Sequence, residues 1–256
     1  MKSRIATIAR YTVLEAVRTR VALLGITVII ILLGASFFVR EIAITESTRF
    51  QIGFYAATAR FAMVFIAALF AIASVAREFQ DKGLDVALAL DLPRSHYIVG
   101  KMAGFLAIGA VLACAAGLPL VALADIGAVA AWSTSLACEL AIVLALSLFC
   151  AVTFNQLMPA ASVVIAFYVF ARALTAVRLI SANPIADASA LSHRVMGWVI
   201  ESLAFLLPAL DQWTRTETLL DAAVSWHAVL DVAAHTTLFV VILTAAAVFD
   251  MHRRNF

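Results

Sequence analysis

Long apolar runs separated by short charged stretches set the pattern of this chain. Residues 21–39 carry no charge, and about 20 apolar residues suffice to cross a bilayer as a helix. Residues 52–76 form a second run, broken only by Arg60, and residues 102–124 form a clean third. Residues 134–153 make a fourth run, which carries Glu139. A fifth begins at 159–171, where Arg172 interrupts it, with room to extend to 180. Residues 232–249, with His235, form the sixth. The apolar stretch 196–210 holds Glu201 and is too short to span, so it reads as a re-entrant or interfacial helix.

Ahead of the first run the pattern changes period. Ile5, Ile8, Ala9, Thr12, Val13, Ala16 and Val17 recur at helical spacing and define one face. Arg4, Arg10, Glu15 and Arg18 lie away from it. Residues 1–20 therefore predict an amphipathic helix in the headgroup plane, its arginines near anionic lipid.

Composition excludes a soluble globule. Of the 256 residues, 64% are hydrophobic and 13% charged, against roughly 45–50% and 25% in soluble domains. The expected fold class is all-α: a polytopic membrane protein with six transmembrane helices, an N-terminal interfacial helix and a cytoplasmic helical segment. No internal repeat or low-complexity linker divides the chain, so residues 1–256 read as one membrane domain. No cleavable signal peptide is evident.

Charge sets the expected orientation. With six spans, residues 1–20, residues 77–101 and the tail share one side. They hold 11 of the 18 Lys and Arg residues and 6 of the 16 acids, a balance of +5 against −3 for the rest. Basic flanks stay in the cytoplasm, so both termini are expected there. The overall charge of +2 gives no reason to expect a nucleic-acid partner.

The chain offers little chemistry of its own. It has no phosphate-binding glycine loop: Gly100-Lys101 is its one Gly-Lys pair and lacks the rest of that motif. It has no HExxH or GxSxG, and Cys114, Cys138 and Cys150 sit in apolar runs without metal spacing. No catalytic or metal-ligating residue is assigned, and no cofactor is expected on this chain.

The most informative stretch is residues 77–101, which reads as an amphipathic helical elbow between two spans. Gly83 allows a turn after the charged opening, Leu84, Ala87, Leu88 and Leu90 form an apolar ridge, and Pro93 turns the chain. Gly100-Lys101 then starts the next span with a basic flank. A rigid, charged elbow of this length suits docking to a cytosolic partner.

An acid, a glycine, a leucine-rich turn, then Pro93-Arg94-Ser95 with Tyr97 and Gly100-Lys101 resemble the coupling helix of type-2 ABC transporter permeases. The Leu207-Pro208 segment and the basic-aromatic tail that ends Arg253-Arg254-Asn255-Phe256 are similar to pieces of the same family. Members often carry a proline where this chain has Asp91, two residues before Pro93.

This resemblance implies the transmembrane subunit of an ATP-driven exporter in a bacterial cytoplasmic (inner) membrane. It implies a permease dimer with cytosolic ABC ATPase subunits, on which ATP and Mg would sit, and a place for a periplasmic accessory protein. It assigns ATPase coupling to Glu78, Gly83, Leu84, Asp85, Leu88, Pro93, Arg94, Tyr97 and Lys101. Substrates in the family include lipids, glycans, drugs, peptides and ions, and one branch serves maturation of a copper enzyme.

Arg60, Glu139 and Arg172 fall at similar depth in the outer halves of their runs. A charge at that depth costs roughly 2.5–3.5 kcal/mol on insertion scales and needs a partner or water. They are either structural, an Arg–Glu pair or arginines snorkelling to the outer interface, or a polar lining for the outer part of a substrate path; if Glu139 pairs with one arginine, the other is left over. Residues 172–231 are expected mostly outside, as a gate, a docking site for an outer partner, or a cap. Two other readings stay open. One is a non-transport scaffold or assembly factor for an ATPase complex. The other is a secondary transporter, against which the spans show no pair of broken helices in matching halves.

Overall fold

The computed structural model describes residues 2–43, 46–80, 93–182, 210, 219 and 226–253. It places seven α-helices and no strand among them: α1 (Lys2–Arg18), α2 (Val21–Ile42), α3 (Ser47–Gln80), α4 (Arg94–Gly117), α5 (Ile126–Phe154), α6 (Leu157–Ala182) and α7 (Trp226–Arg253). A 3-10 turn (Leu118–Ala122) with Pro119 in its first turn extends α4. Helices α2 to α7 give six segments long and apolar enough to cross a membrane. The protein is an all-α, multi-pass membrane protein.

Burial explains the arrangement. Helix α5 is the most buried span, 78% of its central window against 17% for α2 and for α7. It packs against α3, α4, α6 and α7 and is the axis of the bundle. Its inner surface is mostly apolar: Leu136, Leu140, Ile142, Val143, Leu144 and Leu148 are all fully buried, with Glu139 the one charged residue among the buried positions. On α2, by contrast, Leu23, Ile26, Ile30 and Phe38 are each more than half exposed. Such a face suits hydrocarbon, and in water it would drive association.

Local chemistry sets the helix ends. The Asp125 carboxylate accepts from the Gly127 and Ala128 N–H groups (2.8 and 3.3 Å) and caps α5. Asn155 closes α5 in the left-handed region at φ 54°, a conformation asparagine tolerates. Arg20, at φ 58°, separates α1 from α2. Most span helices outlast their apolar runs: α3 reaches Gln80 where the apolar run stops at Ala76, and α5 starts at Ile126, eight residues before 134; α4 instead ends at Gly117, with the run to 124 continued by the 3-10 turn. Backbone hydrogen bonding continues a helix past the hydrocarbon, whereas hydropathy registers only the hydrocarbon part.

Helix α1 is part of the bundle. Its apolar stripe packs on α4, with Thr12 and Ala16 buried and Ile8 half-buried, whereas Val17 stays exposed. The contact is close because α4 presents Gly100 and Gly104 one turn apart. A Cβ on Gly100 would lie 2.8 Å from Ile8 Cβ, and one on Gly104 would lie 2.6 Å from Thr12 Cβ. The expectation of a helix lying on lipid is thus modified: most of the stripe meets protein.

Candidate functional site

Two ionic clusters stand out. The first gathers parts of the chain that are far apart in sequence at one end of the bundle. Glu15 of α1 is its hub: Oε1 meets Arg77 Nη2 at 3.2 Å, and Oε2 meets Lys101 Nζ at 3.2 Å and accepts from Ser74 Oγ at 2.7 Å. Lys101 Nζ reaches Glu78 Oε1 at 2.5 Å, and the Tyr97 hydroxyl donates to Glu78 Oε2. The Phe105 ring centroid lies 5.7 Å from the same ammonium.

Lys101 is 2% exposed, a burial that requires carboxylate partners, and two are present. Ser74, Arg77 and Glu78 end α3, whereas Tyr97 and Lys101 open α4. The cluster therefore clamps both flanks of residues 81–92 together and fastens α1 to them. Arg94 adds a further tie: its Nη1 donates to the Met251 carbonyl at 3.0 Å and to that of His252 at 3.4 Å. These carbonyls belong to the last turn of α7, where orphan acceptors and the helix dipole favour a cation. Thr153 Oγ1 donates to Asp250 at 3.1 Å and ties the end of α5 to the same place.

Of the coupling residues named from sequence, Glu78, Pro93, Arg94, Tyr97 and Lys101 are described, and this end of the bundle holds them all. Pro93 is the N-cap of α4, and its carbonyl accepts from the His96 and Tyr97 N–H groups. Tyr97 and Lys101 face inward, so they hold the elbow's flanks and do not present a surface. Gly83, Leu84, Asp85 and Leu88 lie outside the described residues, as do 196–209 of the short apolar stretch. The segment 77–101 is less of a loop than its composition implies, because its first four and last eight residues continue α3 and α4.

The second cluster lies inside the bundle. Glu139 of α5 is fully buried between two arginines: Arg172 Nη1 at 3.3 Å from Oε1, and Arg60 Nε at 3.9 Å from Oε2. Arg172 also donates to the Leu210 carbonyl at 3.4 Å, and its guanidinium stands 5.9 Å from the Phe61 ring centroid. Tyr168 packs edge-on to Phe61 and Phe65. The expected division into one paired and one leftover arginine does not hold, since both reach one carboxylate. Arg60 is 1% exposed and Arg172 20%. Arg60 and Glu139 are therefore enclosed within the protomer, and Arg172 alone of the three shows appreciable surface.

Sequence reasoning missed Glu15. It is the one acid on a basic helix, and its partners lie 59 to 86 positions away. The available signal was the acid itself, set among Arg4, Arg10 and Arg18. No group of three or more His, Cys, Asp or Glu side chains placed to hold a metal occurs among the described residues. Comparison with known protein families and with characterised proteins gives no match.

Proposed function

We propose that the chain is the transmembrane subunit of an ATP-driven exporter of the type-2 ABC permease kind, working as a dimer with cytosolic ATPase subunits. The observation that carries this reading is the ionic clamp at one end of the bundle. Glu15, Ser74, Arg77, Glu78, Tyr97 and Lys101 join α1, α3 and α4 around the segment 81–92 that the resemblance assigns to ATPase docking. A connector that merely joined two spans would not need both flanks and a third helix locked together. A segment that must receive a push from outside and pass it to the spans would.

On this reading the clamped end faces the cytoplasm, in agreement with its basic excess. Movement received at 81–92 passes through Lys101 to α4 and through Glu78 to α3. Arg94 passes it to the end of α7. Of the buried charges, Arg172 is the member best placed to meet a transported molecule, because Arg60 and Glu139 are closed off inside the protomer.

The test is cross-linking in native membranes from single cysteines at Leu84 or Leu88, followed by identification of the captured protein. The expected product is an ABC ATPase subunit. Leu88→Glu should abolish capture while leaving the chain inserted and folded. Leu88 is a cleaner probe than Arg94, whose guanidinium also holds the end of α7. A folded, correctly inserted protein that captures no ATPase would remove the exporter reading.

A further inference from the structure

We propose that the crevice between the end of α1 and the end of α3 binds the phosphate of an anionic phospholipid. The crevice encloses about 440 Å³ and is lined by Tyr11, Leu14, Glu15, Arg18, Ser74, Arg77 and Glu78. Its size lies within the roughly 300–1,000 Å³ range of small-molecule pockets.

Its depth follows from sequence position. Residues 14–18 immediately precede the span that starts at Val21, and residues 74–78 bracket the end of the apolar run at Ala76. The crevice therefore sits where hydrocarbon gives way to headgroups, whichever side of the membrane this is. Tyr11 and Leu14, 68% and 39% exposed, give it the apolar-to-polar lip that interfacial positions favour.

Two carboxylates line the crevice and would repel a phosphate if they faced it uncompensated. They are engaged elsewhere: Glu15 holds Ser74, Arg77 and Lys101, and Glu78 holds Tyr97 and Lys101. Two acids are thus answered by Lys101 and Arg77, and Arg18 remains as an uncompensated positive charge. Arg18 is exposed and makes no bond among the described residues. Arg77 is half exposed; its Nε donates to the Ala73 carbonyl and its Nη2 to Glu15, which leaves Nη1 to donate. Two guanidinium groups over an aromatic lip form a phosphate-recognition surface, since planar N–H donors match phosphate oxygens. A free phosphate ester offers the same oxygens; the interfacial depth assigns the lipid.

Native mass spectrometry of the full-length protein tests this, with equimolar phosphatidylglycerol and phosphatidylcholine added in detergent. Phosphatidylglycerol should be retained in preference. Arg18→Gln should weaken its retention about fivefold, with thermal unfolding in lipid-free detergent unchanged. Arg10→Gln, an exposed change on the same helix outside the crevice, should leave retention as it was. Equal retention of the two lipids, or an equal loss from Arg10→Gln and Arg18→Gln, would overturn the site. Displacement of phosphatidylglycerol by soluble glycerol 3-phosphate would overturn the lipid assignment in favour of a soluble phosphate ester.

Discussion

The two ionic clusters use the same residue types under opposite constraints. Around Glu139, three charges come from the neighbouring helices α3, α5 and α6; Glu139 and Arg60 are enclosed, and Arg172 is 20% exposed. Around Glu15 and Glu78, six side chains come from α1, α3 and α4, and part of the group is open: Arg77 is 51% exposed, Glu78 33% and Glu15 25%. Glu139 and Arg60 have no water to turn to, so removing either strands the other. The open group can exchange partners and admit solvent. The difference separates a fastening that fixes the fold from a joint that can transmit movement between segments distant in sequence.

Four substitutions sharpen or break that contrast. Glu139→Ala leaves two guanidinium groups inside the bundle without their shared carboxylate. The expected cost is roughly 3–5 kcal/mol, enough to abolish most folded protein by size-exclusion chromatography in detergent. Lys101→Met should cost less, roughly 1.5–3 kcal/mol, because Glu15 and Glu78 retain Arg77, Ser74, Tyr97 and some water. It should lower the detergent unfolding temperature and leave yield largely intact. If Lys101→Met proved as damaging as Glu139→Ala, the clamp would be a second fold-fixing core and the contrast would fail.

Gly104→Ala probes the third helix of the joint. Its Cβ would lie 2.6 Å from Thr12 Cβ and 3.0 Å from the Ala9 carbonyl. Overpacking of this kind costs typically about 1–3 kcal/mol. Here it should loosen α1 from α4 and raise cysteine labelling at Ile8, while the spans stay folded. The smallest effect is expected from Tyr97→Phe, which removes one hydroxyl donor from Glu78. Its cost is about 1.5 kcal/mol, the low end for a hydrogen bond to a charged group because Glu78 keeps Lys101, read as a small drop in unfolding temperature. An Ile8 position that stays protected in Gly104→Ala would show that α1 adjusts without releasing α4.

The spans were legible because twenty apolar residues in a row admit few other meanings. Their ends were less so. Val21 marks the true start of α2, but hydropathy placed the start of α5 at 134, although Ile126–Phe154 is one helix capped by Asp125. Small and polar residues such as Gly127 and Ser133 lower the apolar signal there without interrupting the helix. The similar depths of Arg60, Glu139 and Arg172 were legible by counting along the runs. Their sharing of one carboxylate was not, because depth says nothing of rotation about a helix axis. Glu15 was legible only as an oddity, since its partners are fixed by the packing of α1 on α4 through Gly100 and Gly104.

The proposed ATPase docking requires that the clamped end, between whose flanks residues 81–92 lie in sequence, face the cytoplasm. Sidedness is the most direct test. Single cysteines at Leu88, between the clamped flanks in sequence, at His252 on the clamped end, and at Gly127 beside the cap of α5 are introduced after Cys114, Cys138 and Cys150 have been replaced by serine. An impermeant thiol reagent is then applied to intact cells and to inside-out membranes. The account predicts labelling at 88 and 252 in inside-out membranes alone, and at 127 in intact cells. Labelling of 88 and 252 from outside intact cells would contradict it, because the segment would then lie on the side that holds no ATPase.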